Sequence, residues 1–338
     1  MTAPDWKARI HPELRGAYKM IPNLTFGPWS VRLFRLLEAF ASPPAPKRAG
    51  ITLQEVAVGQ QRLRLFQPEG GPRAAAAVLW IHGGGRVMGT PKSGDYACAR
   101  LADTLGILAA STSYRFGPEN PYPAPLDDCA AAWRWLIENA DELGVDPARV
   151  VIAGESAGGG LAAELAQRLH DEGGVQPRGQ ALVYPMLDDR TAADRSLDAQ
   201  RHPVWNNRSN HYGWASYLGM APGSPDVGAY AAAGRREDLS GLPPVWMTVG
   251  ELDLFLTEIR SYRERLRSAG VSAEVHEVDG GFHGYFAVGR SQPPIQETWA
   301  SLEAFLRRCL DLPDDWETRL SGRVFHSHTL GPHIPNTR

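Results

Sequence analysis

From residue 51 to residue 310, short apolar runs alternate with stretches of helical periodicity, and no other feature limits the fold as strongly. The runs at 75–82, 107–114, 149–154, 180–185 and 245–250 are short, apolar and rich in Val, Ile, Leu and Ala. Such runs read as strands buried on both faces. The patterns between them, at 92–105, 127–142, 157–171, 256–269 and 295–310, have the length of helices. This alternation predicts a mostly parallel sheet with helices on both faces. The runs at 51–58 and 61–67, joined by Gly59 and Gln60, read as an antiparallel edge hairpin. A last strand at 272–278 brings the expected total to about eight.

Two segments break the rhythm. Residues 188–239 separate two strands by far more than a crossover requires, and they are rich in Trp, Tyr, Asn and Arg. A long insertion inside a compact domain is more often a functional cover than a plain connection. Residues 1–50 read as a separate piece. It holds an amphipathic helix at 29–40, with Val31, Leu33, Phe34 and Leu37 apolar, and the proline-rich run at 42–46 ends that helix. The expected organisation is a core of residues 51–187 and 240–310, with a small helical cap built from 1–50 and 188–239. A polar tail over 311–338 reads as loosely ordered.

With 338 residues, 43% of them hydrophobic, the chain can bury a sizeable core. The net charge of −3 comes with scattered positive residues, which argues against a nucleic-acid partner, since phosphate neutralisation needs a basic stripe. No window reaches the roughly 18 apolar residues of a membrane span, and the first residues lack a secretory pattern. Cys98, Cys129 and Cys309 are odd in number and far apart, without the spacing of a zinc site. They fit a reducing, cytoplasmic setting.

The sharpest chemical signal is Gly154-Glu155-Ser156-Ala157-Gly158, which leaves an apolar strand and enters a helix. That context suits a nucleophile elbow, in which a tight turn lifts a serine hydroxyl above the sheet. Glycines flank it because a Cβ there would strike the neighbouring strand or helix. A phosphate loop would want a lysine after the glycines, and here Gly158-Gly159-Gly160 runs into Leu161.

His82-Gly83-Gly84-Gly85 ends another buried strand. Bare backbone N–H groups there, together with that of Ala157, can bind a tetrahedral oxyanion, each such donor being worth about 3 kcal/mol of barrier. Gly83 and Gly84 are the first choice of donors and Gly85 the next. His82 reads as a structural side chain that pins the loop.

A serine hydroxyl is a weak nucleophile until an imidazole accepts its proton. His283, in Gly280-Gly281-Phe282-His283-Gly284, follows the last strand, and Asp253 follows the strand at 245–250. The order Ser156, Asp253, His283 is the one found in α/β-hydrolases. Each falls at the carboxyl end of a strand, where open α/β sheets collect their sites. Glu251 and Asp279 are rival acids for orienting the imidazole. His202 and His211 lie in the insertion and read as solvent- or substrate-facing.

Together these motifs resemble the hormone-sensitive-lipase-like family of α/β-hydrolases, in its microbial carboxylesterase branch. His82-Gly83-Gly84-Gly85 resembles the family's oxyanion motif and Gly154-Glu155-Ser156-Ala157-Gly158-Gly159 its elbow. Tyr114-Arg115-Phe116-Gly117-Pro118-Glu119 and Gly281-Phe282-His283-Gly284-Tyr285-Phe286 are similar to two more of its segments. The resemblance implies an α/β-hydrolase fold, a cap, and no metal or organic cofactor. Asp128 is similar to an acid the family keeps and reads as structural, bonding loop backbone near Arg115. The pattern is departed from in three places: Glu155 replaces Asp or Thr, Leu254-Phe255-Leu256-Thr257 replaces Pro-Leu-Arg-Asp, and Arg86 replaces an aromatic.

The expected activity is hydrolysis of small carboxylic esters of short to medium acyl chain through an acyl-enzyme. Lactone, amide or formamide hydrolysis on the same fold is the alternative, and a ligand receptor without catalysis the remote one. Candidate pocket residues are Arg86, read either as a cation at the mouth of the site or as a surface residue, with Trp205, Tyr212, Trp214 and Phe286. A homodimer is compatible with the resemblance, and no particular residue marks its interface.

Overall fold

The structure, a computed structural model, describes residues 6–21, 24–41, 45–200, 202–288 and 290–313. The tail expected over 311–338 lies outside the described residues from 314 onward, as do residues 42–44 of the proline-rich run.

Within these residues the chain opens with α1 (Trp6–Arg9), α2 (Arg15–Lys19) and α3 (Pro28–Ala41). It continues through β1 (Ile51–Val58), β2 (Gln61–Pro68), β3 (Ala77–Ile81), α4 (Asp95–Leu105), β4 (Leu108–Thr112) and α5 (Ala124–Glu138). Then come β5 (Val150–Glu155), α6 (Ala157–Glu172) and β6 (Gln180–Val183). The insertion carries α7 (Asp189–Ala193) and α8 (Asn207–Leu218). The chain closes with β7 (Val245–Gly250), α9 (Leu256–Ser268), β8 (Ala273–Val278) and α10 (Pro293–Cys309).

The strands form one eight-stranded sheet in the order β1-β2-β4-β3-β5-β6-β7-β8. β2 runs antiparallel to both of its neighbours, and every other pair is parallel. The mostly parallel sheet read from the sequence is therefore present, with β5 near its centre.

The strands lack polar alternation because both faces are covered. Along β3, Ala77, Leu79 and Ile81 face one core, and Val78 and Trp80 face the other. The first core also takes Leu126 of α5, Leu161 of α6, Trp214 of α8 and Ile259 of α9. The second takes Leu101 of α4 and Leu302 of α10. Truncating a fully covered side chain such as Trp80 would cost about 3–5 kcal/mol.

The N-terminal residues divide between the two sides. Ile10, Leu14 and Ala17 are buried, the first two in the second core, and Tyr18 meets Phe282 edge-on at 5.3 Å. The His11 N–H donates to the Gly280 carbonyl at 3.1 Å. α3 sits on the other side, where Arg35 donates to the carbonyls of Val87 and Gly117. Just before α3, the Phe26 N–H donates to Ser209 Oγ at 2.8 Å and the Phe26 ring lies 5.8 Å from that of Trp205.

The inner face of α3 differs from the sequence expectation. Val31 and Phe34 turn inward, but Leu33 and Leu37 are exposed together with Trp29 and Leu36. At 3.6 residues per turn, positions 29, 33, 36 and 37 share one stripe. The opposite stripe is filled by Val31, Phe34 and the stems of Arg35 and Glu38.

Candidate active site

Ser156 is the joint between β5 and α6. Its backbone lies at φ 54°, ψ −119°, a region costly for a residue with a Cβ. The surroundings hold it there. Its N–H donates to the Val183 carbonyl at 2.8 Å, and its carbonyl accepts from the Gly160 and Met186 N–H groups, both at 3.0 Å. A Cβ on Gly158 would stand 2.1 Å from the Ile81 carbonyl oxygen, and one on Gly154 would stand 2.4 Å from that of Gly158. The elbow therefore closes only around bare positions.

The sheet order brings the three candidates together. Ser156 Oγ lies 2.9 Å from His283 Nε2, and His283 Nδ1 lies 2.9 Å from Asp253 Oδ2. All three residues are nearly buried, at 8%, 5% and 4% exposure. A carboxylate can only accept, so Nδ1 carries the hydrogen and Nε2 is left to accept from the serine hydroxyl. Asp253 Oδ1 accepts from the Phe255 N–H at 2.9 Å, which fixes the carboxylate plane. The imidazole is walled by Tyr184, Phe255 and Trp205, with ring centroids at 4.8, 5.1 and 6.4 Å. Phe255, part of the departure from the family's pattern, thus serves both acid and base. The rival Glu251 is engaged by the Arg9 guanidinium and the Gly280 N–H.

The glycine loop after β3 faces Ser156. Gly84 and Gly85 hold φ values of 119° and 60°. A Cβ on Gly84 would lie 2.0 Å from the Met88 carbonyl oxygen, and one on Gly85 would lie 2.2 Å from the Trp205 ring. Among the described residues neither amide donates to a protein acceptor. Ala157 opens α6, where the first N–H groups have no partner within the helix. Burial pushes the nearby Glu155 carboxyl up, and the Gly83 N–H, His283 and the Tyr184 hydroxyl pull it back. Gly83 lies against the nucleophile, where an added Cβ would stand 3.4 Å from that of Ser156, so the amides of Gly83, Gly84 and Gly85 all remain candidate donors beside that of Ala157.

His82 is fully buried and stacks on Tyr114 at 4.4 Å, with Nδ1 2.7 Å from the Gly83 carbonyl. Burial pushes its imidazole down to about 4, against the pull of that carbonyl. It pins the loop and stays neutral. Asp128 accepts from the Arg115 backbone N–H at 2.8 Å and from its guanidinium, the structural place expected for it.

The pocket candidates divide. Trp205 stands over Gly85 and beside His283. Arg86 is neither at the mouth of the site nor on the surface: it is fully buried and paired with Glu164 of α6. Trp214 is fully buried against the Arg86 guanidinium, 4.3 Å from its ring centroid. Phe286 packs on Trp299 at 4.4 Å in the second core. These three are core residues: the two aromatic faces gain by leaving water, and the guanidinium is tolerated there because Glu164 pairs with it. Tyr212 is half-buried against the first core. His202 and His211 are held below the ordinary imidazole range by burial; the Leu252 backbone and Asp253 oppose this at His202, and Arg195 reinforces it at His211.

Tyr184 and Glu155 are site residues that the sequence reading did not assign. The available signal was position: Tyr184 directly follows β6 and Glu155 ends β5, both at the edge where the other candidates gather. Among the described residues no group of three His, Cys, Asp or Glu side chains is arranged to hold a metal ion.

A family model described as the α/β hydrolase fold matches residues 78–287. Two curated relatives come from Mycobacterium tuberculosis. The esterase LipI is 36% identical over 239 residues, covering 69% of this chain and 73% of its own. The carboxylesterase NlhH is 35% identical over 238 residues, covering 69% and 73%. Among solved structures, a bacterial heroin esterase superposes with a TM-score of 0.81 at 36% identity, covering 90% of this chain and 98% of its own.

Proposed function

The chain belongs to the α/β-hydrolase fold family, in its hormone-sensitive-lipase-like branch, and we propose that it is a serine carboxylesterase acting on small esters of short to medium acyl chain. The carrying observation is the relay from Ser156 through His283 to Asp253, with both contacts at 2.9 Å.

The chemistry follows from that relay. Ser156 Oγ attacks the ester carbonyl while His283 Nε2 takes its proton, and the new imidazolium is held by Asp253. The carbonyl's electron pair moves onto its oxygen, which amides of the Gly83–Gly85 loop and of Ala157 receive. The start of α6 adds its positive dipole end. As the intermediate collapses, the C–O bond to the alkoxy group breaks and His283 returns the proton to the leaving alcohol. Water, deprotonated by the same imidazole, adds to the acyl carbonyl; the bond to Ser156 Oγ then breaks, Oγ takes the proton back from His283, and the acid leaves.

Trp205, over Gly85 and beside His283, bounds the space next to the reacting carbonyl and favours a short acyl chain. The contacts of Phe26 with Ser209 and Trp205 support reading residues 1–50 and 188–239 as a cap over this edge. Three cysteines without a disulfide suit a reducing, cytoplasmic compartment. No helix among the described residues is long and apolar enough to cross a membrane.

The reading is tested by rapid mixing with p-nitrophenyl acetate. A burst of p-nitrophenol stoichiometric with enzyme, followed by slower turnover, is expected. A chain that releases no nitrophenol above the uncatalysed rate would refute the assignment.

A further inference from the structure

Arg86 directly follows Gly85, and its own backbone has φ 65°, unusual for a residue with a side chain. Its guanidinium is fully buried, with Nη2 2.7 Å and Nη1 3.0 Å from the two carboxylate oxygens of Glu164, itself fully buried. Nη2 also donates to the Met186 carbonyl at 3.1 Å. The Tyr217 hydroxyl donates to Glu164 Oε2 at 2.7 Å. The guanidinium lies over the Trp214 and Tyr217 rings, 4.3 and 4.1 Å from their centroids. A Cβ on Gly160 would fall 2.6 Å from Nη2, so α6 is kept bare where the arginine passes.

A buried ion pair is a poor source of stability, since apolar groups of similar volume commonly do as well. What this one supplies is geometry. Glu164 lies on the helix that Ala157 begins, and Arg86 on the loop that carries Gly84 and Gly85. Met186 belongs to the segment whose N–H bonds the Ser156 carbonyl. α8, which carries Trp214 and Tyr217, also meets the same loop backbone to backbone: a Cβ on Gly213 would lie 2.6 Å from the Gly85 carbonyl oxygen.

We propose that Arg86 is a positioning residue for the oxyanion hole: through Glu164 it sets the amides of the Gly83–Gly85 loop against the Ala157 amide, and through Trp214 and Tyr217 it makes that alignment depend on α8 being docked. This rests on the esterase reading above. Because a planar guanidinium gripping both carboxylate oxygens defines one orientation, neither an apolar filler nor lysine reproduces it.

The test is the double variant Arg86→Met/Glu164→Leu, which removes both charges and keeps most of the volume. It is read by kcat, KM and inhibition by an alkyl trifluoromethyl ketone, which takes up the serine oxygen and presents its own oxyanion to the hole. The expected result is an unfolding temperature near wild type, a KM within about twofold and a kcat lowered about 10- to 100-fold, with ketone inhibition weakened by the same factor. Wild-type kcat and ketone affinity in a folded double variant would overturn the proposal while leaving the esterase reading intact. An inactive wild-type protein that the ketone does not inhibit would sink both. Should the double variant not fold, Arg86→Lys gives the same discrimination: a parallel loss of kcat and ketone affinity at constant KM supports the strut, and no such loss contradicts it.

Discussion

Asp253 Oδ2 stands 2.9 Å from His283 Nδ1, while its other oxygen is held by the Phe255 N–H. The acid can therefore fix one tautomer and one orientation of the imidazole. Asp253→Asn would present an amide where an acceptor is needed and is expected to lower kcat on the order of 10⁴-fold with little change in fold. Glu251 is tied to Arg9 and the Gly280 N–H, so Glu251→Gln should keep activity within about threefold. Steady-state rates on p-nitrophenyl acetate decide this; a larger loss in Glu251→Gln than in Asp253→Asn would reverse the assignment.

The glycine loop makes a second prediction. Gly85→Ala would drive a Cβ into the Trp205 ring at a backbone conformation that alanine disfavours. It should lower kcat by about 100-fold or more through displaced donors. Gly83 has no positive φ, and its Cβ would meet the Glu155 carbonyl oxygen at 3.2 Å, a tight but adjustable contact. Gly83→Ala should therefore lose about tenfold or less. Measured kcat values in the opposite order would make Gly83 the more important donor.

Much of this arrangement was legible in the residues themselves. Strand–helix alternation gave the sheet because β3, β5 and β7 are buried on both faces and read as unbroken apolar runs. The meeting of Ser156, Asp253 and His283 was legible because each follows the end of a strand. Arg86 was not, since its burial depends on Glu164 of α6 and on Trp214 and Tyr217 of α8, distant in the chain and brought to it only by folding. Phe286 was misplaced because its partner Trp299 lies on α10, on the opposite side of the sheet from α8. The docking of residues 6–21 was missed because Ile10, Leu14 and Ala17 are too few to make a pattern.

His82 predicts a pH dependence of stability. Its folded imidazole is pushed by burial down to about 4 from an ordinary 6.5, so between these values the unfolded chain binds more protons. The contribution is fully present above pH 6.5 and is lost as pH falls through about 4, a difference of about 3 kcal/mol. Glu164, pushed up by burial against the pull of the Arg86 guanidinium, contributes the opposite slope. It cancels when His82→Gln is compared with wild type. Urea midpoints from pH 7 down to pH 4 should fall more steeply in wild type than in His82→Gln; parallel curves would contradict a neutral buried His82.

Trp205 sets the expected acyl preference. Removing its ring from above Gly85 and beside His283 opens the space that a longer chain would need. Trp205→Ala should move the optimum in a p-nitrophenyl ester series toward longer acyl chains, and lower unfolding stability by about 3–5 kcal/mol. An unchanged optimum in a folded variant would place the acyl chain elsewhere.

The central claim is that one hydroxyl, that of Ser156, carries the acyl group. Its most direct measurement is peptide mapping by mass spectrometry after inactivation with an activated organophosphonate ester, run beside Ser156→Ala. A single adduct on the peptide containing Gly154-Glu155-Ser156-Ala157-Gly158 is predicted, with none in the variant and no turnover above background. An adduct on another residue, or esterase activity surviving in Ser156→Ala, would contradict it.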